Sequence, residues 1–217
     1  LAGIGPAHLH NEHAMLARLN HPHIVPLFDA GMADDGTPWL AMALVDGVHI
    51  DAWCRGRALD ARAIVRLLHD VCDAVGYAHQ NLVIHRDLKP SNVLVDAHGH
   101  VRLLDFGISR LAGTGAEATA TLHRALTPSY AAPEQFDGAA PATTMDVYGL
   151  GALLHRLLVG ASPQREAGAA LPHASRSAAA QGASRQRVRA LRDDLDAILA
   201  KALHADALQR YSSAGAL

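Results

Sequence analysis

His85-Arg86-Asp87-Leu88-Lys89-Pro90-Ser91-Asn92 decides how this chain reads, and Asp105-Phe106-Gly107 completes it thirteen residues after Asn92. Short apolar, largely β-branched runs flank both segments. Val83-Ile84 precedes the first, Val93-Leu94-Val95 follows it, and Val101 to Leu104 leads into the second. Such runs predict strands, and the Asp, Asn, Pro and Ser between them predict turns. The pattern is that of a hairpin-type core presenting acidic and amide side chains in one cleft. One Asp or Asn alone would be ordinary turn chemistry. Several in a fixed order are a different signal.

In residue type, spacing and order the two segments resemble the catalytic loop and the metal-binding loop of protein kinases. Two further stretches are in register. Thr127-Pro128-Ser129-Tyr130-Ala131-Ala132-Pro133-Glu134 resembles the end of a kinase activation segment, and Asp146-Val147-Tyr148-Gly149-Leu150-Gly151 resembles the buried helix that anchors the larger lobe. The resemblance implies an α+β, protein-kinase-like fold with a mainly helical C-lobe and a partial N-lobe. Residues 1–45 would form the partial N-lobe, with a helix, two strands and the hinge. Residues 46–217 would form the C-lobe, incomplete at its C-terminus.

The resemblance also assigns roles. Phosphoryl transfer asks a protein mainly for positioning and charge stabilisation. Asp87 would accept or orient the proton of the attacking hydroxyl. Lys89 would neutralise charge on the transferred phosphate, and Lys here resembles the serine/threonine class. Asn92 and Asp105 would hold Mg²⁺ or Mn²⁺ against ATP, since both offer hard oxygen ligands. Met42 would stand beside the adenine, Ala43 to Val45 would be the hinge, and Leu94 would lie beneath the base. His85 and Phe106, with Leu16 and Leu27, would stack into a spine resting on Asp146, and Gly107 ends the metal loop. Thr127 would support Asp87 and Lys89. Arg86 would meet a phosphorylated activation loop, with Thr114, Thr119 and Thr121 as acceptors. Arg210 would pair with Glu134. Apart from the resemblance, the apolar members are ordinary core and the charged pair ordinary surface charges.

The rest of the chain is legible in part. Residues 8–20 read as a helix stopped by Asn20-His21-Pro22, and the resemblance makes Glu12 the partner of a phosphate-binding lysine. Ile24 to Asp29 and Trp39 to Val45 read as strands, with a turn at Asp34 to Pro38. Asp60 caps an amphipathic helix to about Gln80. Residues 112–126 read as a loop. Thr143 or Thr144 is expected to cap a helix ending before Gly160. Ala161 to Arg192 reads as a weakly ordered connection. Asp193 or Asp194 is expected to cap the next helix.

Composition bounds the remainder. Half of the 217 residues are apolar, enough for a sizeable core, and the formal charge is −2. That balance does not favour nucleic acid. Two cysteines without a C-x-x-C pair suit a reducing compartment, and no apolar run approaches the about 20 residues of a membrane span. A cytoplasmic domain is expected, with any anchor outside the chain. The scattered histidine pairs, His21/His23 and His98/His100, lack a second cluster to complete a zinc site.

A kinase also needs a glycine-rich loop over the phosphates and a lysine on the third strand. Neither precedes Glu12, and the lysines are Lys89 and Lys201. Residue 1 is Leu. The expectation is therefore an N-terminally truncated piece of a bacterial, eukaryotic-like serine/threonine protein kinase, acting on protein Ser/Thr hydroxyls with ATP and weakly active or inactive alone. The alternatives are a non-catalytic, pseudokinase-like binding module and a small-molecule phosphotransferase. Intact Asp87, Asn92 and Asp105 speak against the first; Lys89 and Glu134 speak against the second.

Overall fold

The computed structural model describes residues 18–34, 37–104, 128–164 and 171–217. Two small antiparallel sheets accompany a set of helices. Strands β1 (Leu27–Met32) and β2 (Pro38–Met42) pair from Leu27↔Met42 to Met32↔Pro38, with a bulge between Leu27 and Asp29. The first strand thus starts later than the sequence suggested. Ile24 bridges Leu103 in parallel, the Val25 N–H donates to the Leu103 carbonyl at 3.0 Å, and the Leu103 N–H donates to the His23 carbonyl at 2.8 Å. Pro26, which has no N–H, separates the two pairings. The second strand ends earlier than expected, because the Ala43 N–H turns to the Pro26 carbonyl at 3.0 Å.

The second sheet has the order β3 (Gly47–His49), β4 (Val93–Asp96), β5 (Val101–Leu103), all antiparallel. Val93 and Val95 point into the core, while Leu94 and Asp96 are half-buried on the other face, the period-2 alternation of a strand with one face inward. In the β4–β5 turn the Asp96 carboxylate accepts the N–H groups of His98 and His100, and Gly99 takes the left-handed φ of +88° that this turn needs.

Helix α1 (Ile50–Gly56) leads to α2 (Ala61–Gln80), whose cap is Asp60 accepting the Ala63 N–H at 2.7 Å. Ile64, Leu67, Leu68, Val71, Val75 and Ala78 are all buried along one face. A short helix α3 (Pro133–Phe136) precedes α4 (Thr143–Val159), which is buried almost all round, as a helix apolar on every face must be. The threonine cap is not made. Thr143 is already helical, the N-cap is Ala142, and no side chain caps it. Gly160, at φ +87°, ends the helix as expected.

Two glycines of α4 allow close approach. A Cβ on Gly149 would stand 3.0 Å from the Leu88 Cβ, and one on Gly151 would stand 2.8 Å from the Ala202 Cβ. The first brings the loop after Ile84 onto the helix; the second seats α7 (Asp194–Ala202). Asp193 occupies the N-cap of α7, at φ +67°, but its side chain makes no capping bond.

The stretch Ala161 to Arg192 is not a weakly ordered connection where it is described. It contains α5 (Ala174–Ala180) and α6 (Arg185–Leu191), the latter capped by Ser184. Ala174 and Ala178 bury against α4. Alanine carries little hydrophobic periodicity, so packing rather than sequence pattern makes this helix visible. A final 3-10 turn, Ala214–Ala216, rests on α2. No helix among the described residues is long and apolar enough to cross a membrane.

Candidate active site

The loop between α2 and β4 is held from below by one carboxylate. Asp146, in the first turn of α4 and 1% exposed, accepts the His85 N–H at 2.8 Å with Oδ2 and the Arg86 N–H at 2.7 Å with Oδ1. Its Oδ2 also accepts from His79 Nε2 at 2.8 Å, at the end of α2. Arg86 needs this restraint, because its φ is +67°. A left-handed non-glycine residue costs roughly 1–2 kcal/mol. The Arg86 carbonyl accepts from Gln135 Nε2 at 3.0 Å, and Gln135 Oε1 accepts the Ala132 N–H at 2.8 Å.

His85 is fully buried. Its Nδ1 accepts the Asp87 N–H at 3.3 Å, and its Nε2 lies 2.9 Å from the Leu104 carbonyl. These partners select the neutral tautomer with the proton on Nε2. The imidazole therefore ties the loop to the residue that precedes Asp105.

Asp87, Lys89 and Asn92 converge. Lys89 Nζ stands 2.6 Å from Asp87 Oδ2. Asn92 Nδ2 donates to the Asp87 carbonyl at 2.9 Å and to Asp87 Oδ2 at 3.1 Å. The 3-10 turn Pro90–Asn92 makes this possible, folding five residues so that the amide returns over the aspartate. With its NH₂ committed, Asn92 accepts the Ser91 hydroxyl with its amide oxygen at 3.5 Å. The Asn92 amide oxygen, the described member of the expected metal pair, is a hard oxygen donor of the kind Mg²⁺ takes.

Towards the sheets, Met42, Ala43 and Val45 are each half-buried, as is Leu94 on β4. The Ala43 N–H is bonded to the Pro26 carbonyl. Leu27 packs partly buried against the core. On the other side, Arg210 is buried and meets Glu134 in a two-pronged ion pair, Nη1–Oε1 2.6 Å and Nη2–Oε2 2.8 Å. The same guanidinium donates to the carbonyls of Thr144, Ala205 and His204. Glu12, Leu16, Asp105, Phe106, Gly107, Thr114, Thr119, Thr121 and Thr127 lie outside the described residues.

Sequence reasoning missed two residues here. Gln135 had a usable signal, as Pro at the first and Gln at the third position of a helix is half of a capping signature. His79, 67 residues from its partner Asp146, had none.

The sequence pattern of the protein kinase domain matches residues 4–217. The chain is 34% identical over 206 residues to the serine/threonine-protein kinase PknB of Mycobacterium tuberculosis, covering 91% of this chain and 32% of that protein. It is 37% identical over 217 residues to the serine/threonine-protein kinase PknJ of Mycobacterium bovis, covering 94% and 35%. The chain thus spans about a third of the length of these curated relatives. Among solved structures, Rad53 1-466 in complex with AMP-PNP aligns with a TM-score of 0.66 at 22% identity, over 96% of this chain and 52% of that one. That likeness is one of fold.

Proposed function

The chain belongs to the protein kinase family, and from that premise we propose that it moves the γ-phosphoryl group of ATP to serine or threonine hydroxyls of proteins. The observation that carries this is the Asp87–Asn92–Lys89 cluster on a loop clamped by Asp146. Family membership implies ATP and a divalent cation. The finer assignment is Mg²⁺ or Mn²⁺ held by Asn92 Oδ1 and Asp105. When bound, the ion neutralises charge on the phosphate oxygens.

The chain's own residues do the rest. Asp87 receives the hydroxyl proton, or orients it, with Oδ1 free of the Lys89 and Asn92 contacts that engage Oδ2. Lys89 is within reach of both the aspartate and a phosphoryl oxygen beside it. The Asn92 and Lys89 contacts to Oδ2 hold the carboxylate in place, and the Asn92 bond to the Asp87 carbonyl holds the loop. The Ala43 carbonyl, Val45 and Leu94 frame the adenine. Arg86, whose Nε is buried without a partner among the described residues, is the candidate receiver of an activation-loop phosphate.

Labelled ATP, Mg²⁺ and a generic serine/threonine protein substrate test the proposal. Phosphoserine or phosphothreonine should appear and be reduced at least a hundredfold by Asp87→Ala, with nucleotide-induced thermal stabilisation retained. No transfer by the full-length protein, with intact nucleotide binding, would instead select a binding module.

A further inference from the structure

A second cleft, of about 420 Å³, opens between α1, the C-terminal end of α4 and the turn joining α5 to α6. Arg55, Arg156 and Arg187 line it, against the single carboxylate of Asp51. The described lining therefore carries a net charge of about +2 inside a chain whose formal charge is −2. Asp51 Oδ2 stands 2.8 Å from Arg55 Nη1 and 3.5 Å from Arg156 Nη2. Burial works against its charge, but the Arg55 hydrogen bond and the two guanidinium groups hold its carboxyl below the usual value. The Cys54 thiol, pushed up to about 11 by burial, adds no anion.

The third arginine is the informative one. Arg187 Nη2 donates to the Leu59 carbonyl at 2.7 Å, which fixes the guanidinium at the cleft. Its Nη1 is buried and has no hydrogen-bond partner among the described residues. A charged donor left unpaired is costly, and an anion that reached Nη1 would relieve that cost.

We propose that this cleft takes an acidic side chain, carboxylate or phosphate, of a peptide segment of the protein substrate. The proposal rests on the kinase reading above. Its position supports it. Arg156 lies ten residues along α4 from Asp146, about 15 Å at the helical rise, and α1 touches the Pro90–Asn92 turn of the Asp87 loop. An extended peptide covers that span in about five residues. With Asp146, which lies under the Asp87 loop, taken as the near end of that span, the acidic residue should lie about four to six positions from the phosphorylated hydroxyl. Among the described residues no aromatic side chain lines the cleft to stack a base, which favours a peptide over a nucleotide.

Two peptides test it, identical save for Asp-Asp-Glu or Ala-Ala-Ala about five residues from the acceptor. The acidic peptide should show a KM about tenfold lower, the size of one charge-assisted hydrogen bond. Arg187→Gln and Arg156→Gln should erase that preference and leave the alanine peptide unchanged. Asp51→Asn, which removes the negative charge facing Arg55 and Arg156, should sharpen it. Arg187→Lys, which keeps the charge, should retain part of the preference and guards against misfolding in Arg187→Gln. In parallel, anisotropy of the acidic peptide lacking the hydroxyl reads the cleft without catalysis, and its binding should weaken with salt. Equal KM values, equal effects on both peptides, or no acidic-peptide binding would overturn the proposal while leaving the kinase reading intact. Absence of all transfer with binding intact would do the reverse. Displacement by millimolar inorganic phosphate as readily as by peptide would reduce the cleft to a small-anion site and refute the peptide.

Discussion

Replacing Asp146 by alanine removes the one acceptor of three converging donors: the His85 and Arg86 amides and the His79 imidazole. At 1% exposure no water replaces the carboxylate freely. Each stranded donor costs about 1–3 kcal/mol, partly recovered as the loop relaxes, so about 3–5 kcal/mol is expected overall, the range for breaking a buried charged pair. For a domain of this size that is a fall in Tm of about 6–20 °C. Asp146→Asn discriminates sharply. Its single amide oxygen can satisfy the Oδ2 pair or the Arg86 N–H, but its NH₂ must then face a donor. The expected loss is about half that of alanine. Arg86 would also lose the restraint on its positive φ. Thermal unfolding gives the stability, and amide hydrogen exchange at His85 and Arg86 gives its location. A fall of under about 2 °C for Asp146→Ala, or unchanged exchange at both amides, would refute the clamp.

Arg210→Lys keeps the charge but loses the fork to Glu134 and most of the carbonyl contacts; a urea titration should show a loss of about 2–4 kcal/mol, and Arg210→Ala should exceed it. Gly151→Ala should destabilise by about 1–3 kcal/mol despite better helix propensity, because its Cβ would meet Ala202 at 2.8 Å. Gly76→Ala, in α2 with nothing within 4 Å, should stabilise by about 0.5–1 kcal/mol; opposite signs in the two melts are the check. The Asp96 carboxyl is opposed by burial but held below its ordinary value of 3.8 by the His100 and His98 amides, with His100 and Arg102 assisting. Its folded value being the lower one, the turn gains stability above about pH 4 and loses it as pH falls through that depressed value. NMR titration of the His98 and His100 amides should show a midpoint below 3.8; a midpoint at or above it counts against the turn bonds.

What the sequence made legible was local. The Asp60 cap and the α2 face follow from spacing alone, and the β4–β5 hairpin from short apolar runs around His98-Gly99-His100. The site residues were legible as an ordered set because phosphoryl-transfer loops are built from polar residues at fixed short offsets. What escaped was tertiary. Ile24 looked like part of β1 until its pairing with Leu103 appeared, because strand propensity does not name a partner. The helices α5 and α6 escaped because alanine and arginine write no stripe. His79 escaped because its role exists only once α4 lies against α2.

The Glu134–Arg210 pair has a consequence for the order of assembly. Its members are 76 residues apart. At a synthesis rate of about 5–20 residues per second, Glu134 is made roughly 4–15 s before its partner. Through that interval nothing clamps α3, and with it Gln135 and the Arg86 carbonyl, to the far end of the chain. The nucleophile-facing loop is therefore expected to acquire its final geometry late, after the last helices have docked. A nascent chain stalled before Arg210 should carry every member of the Asp87 cluster and still lack the rigidity that makes them a site.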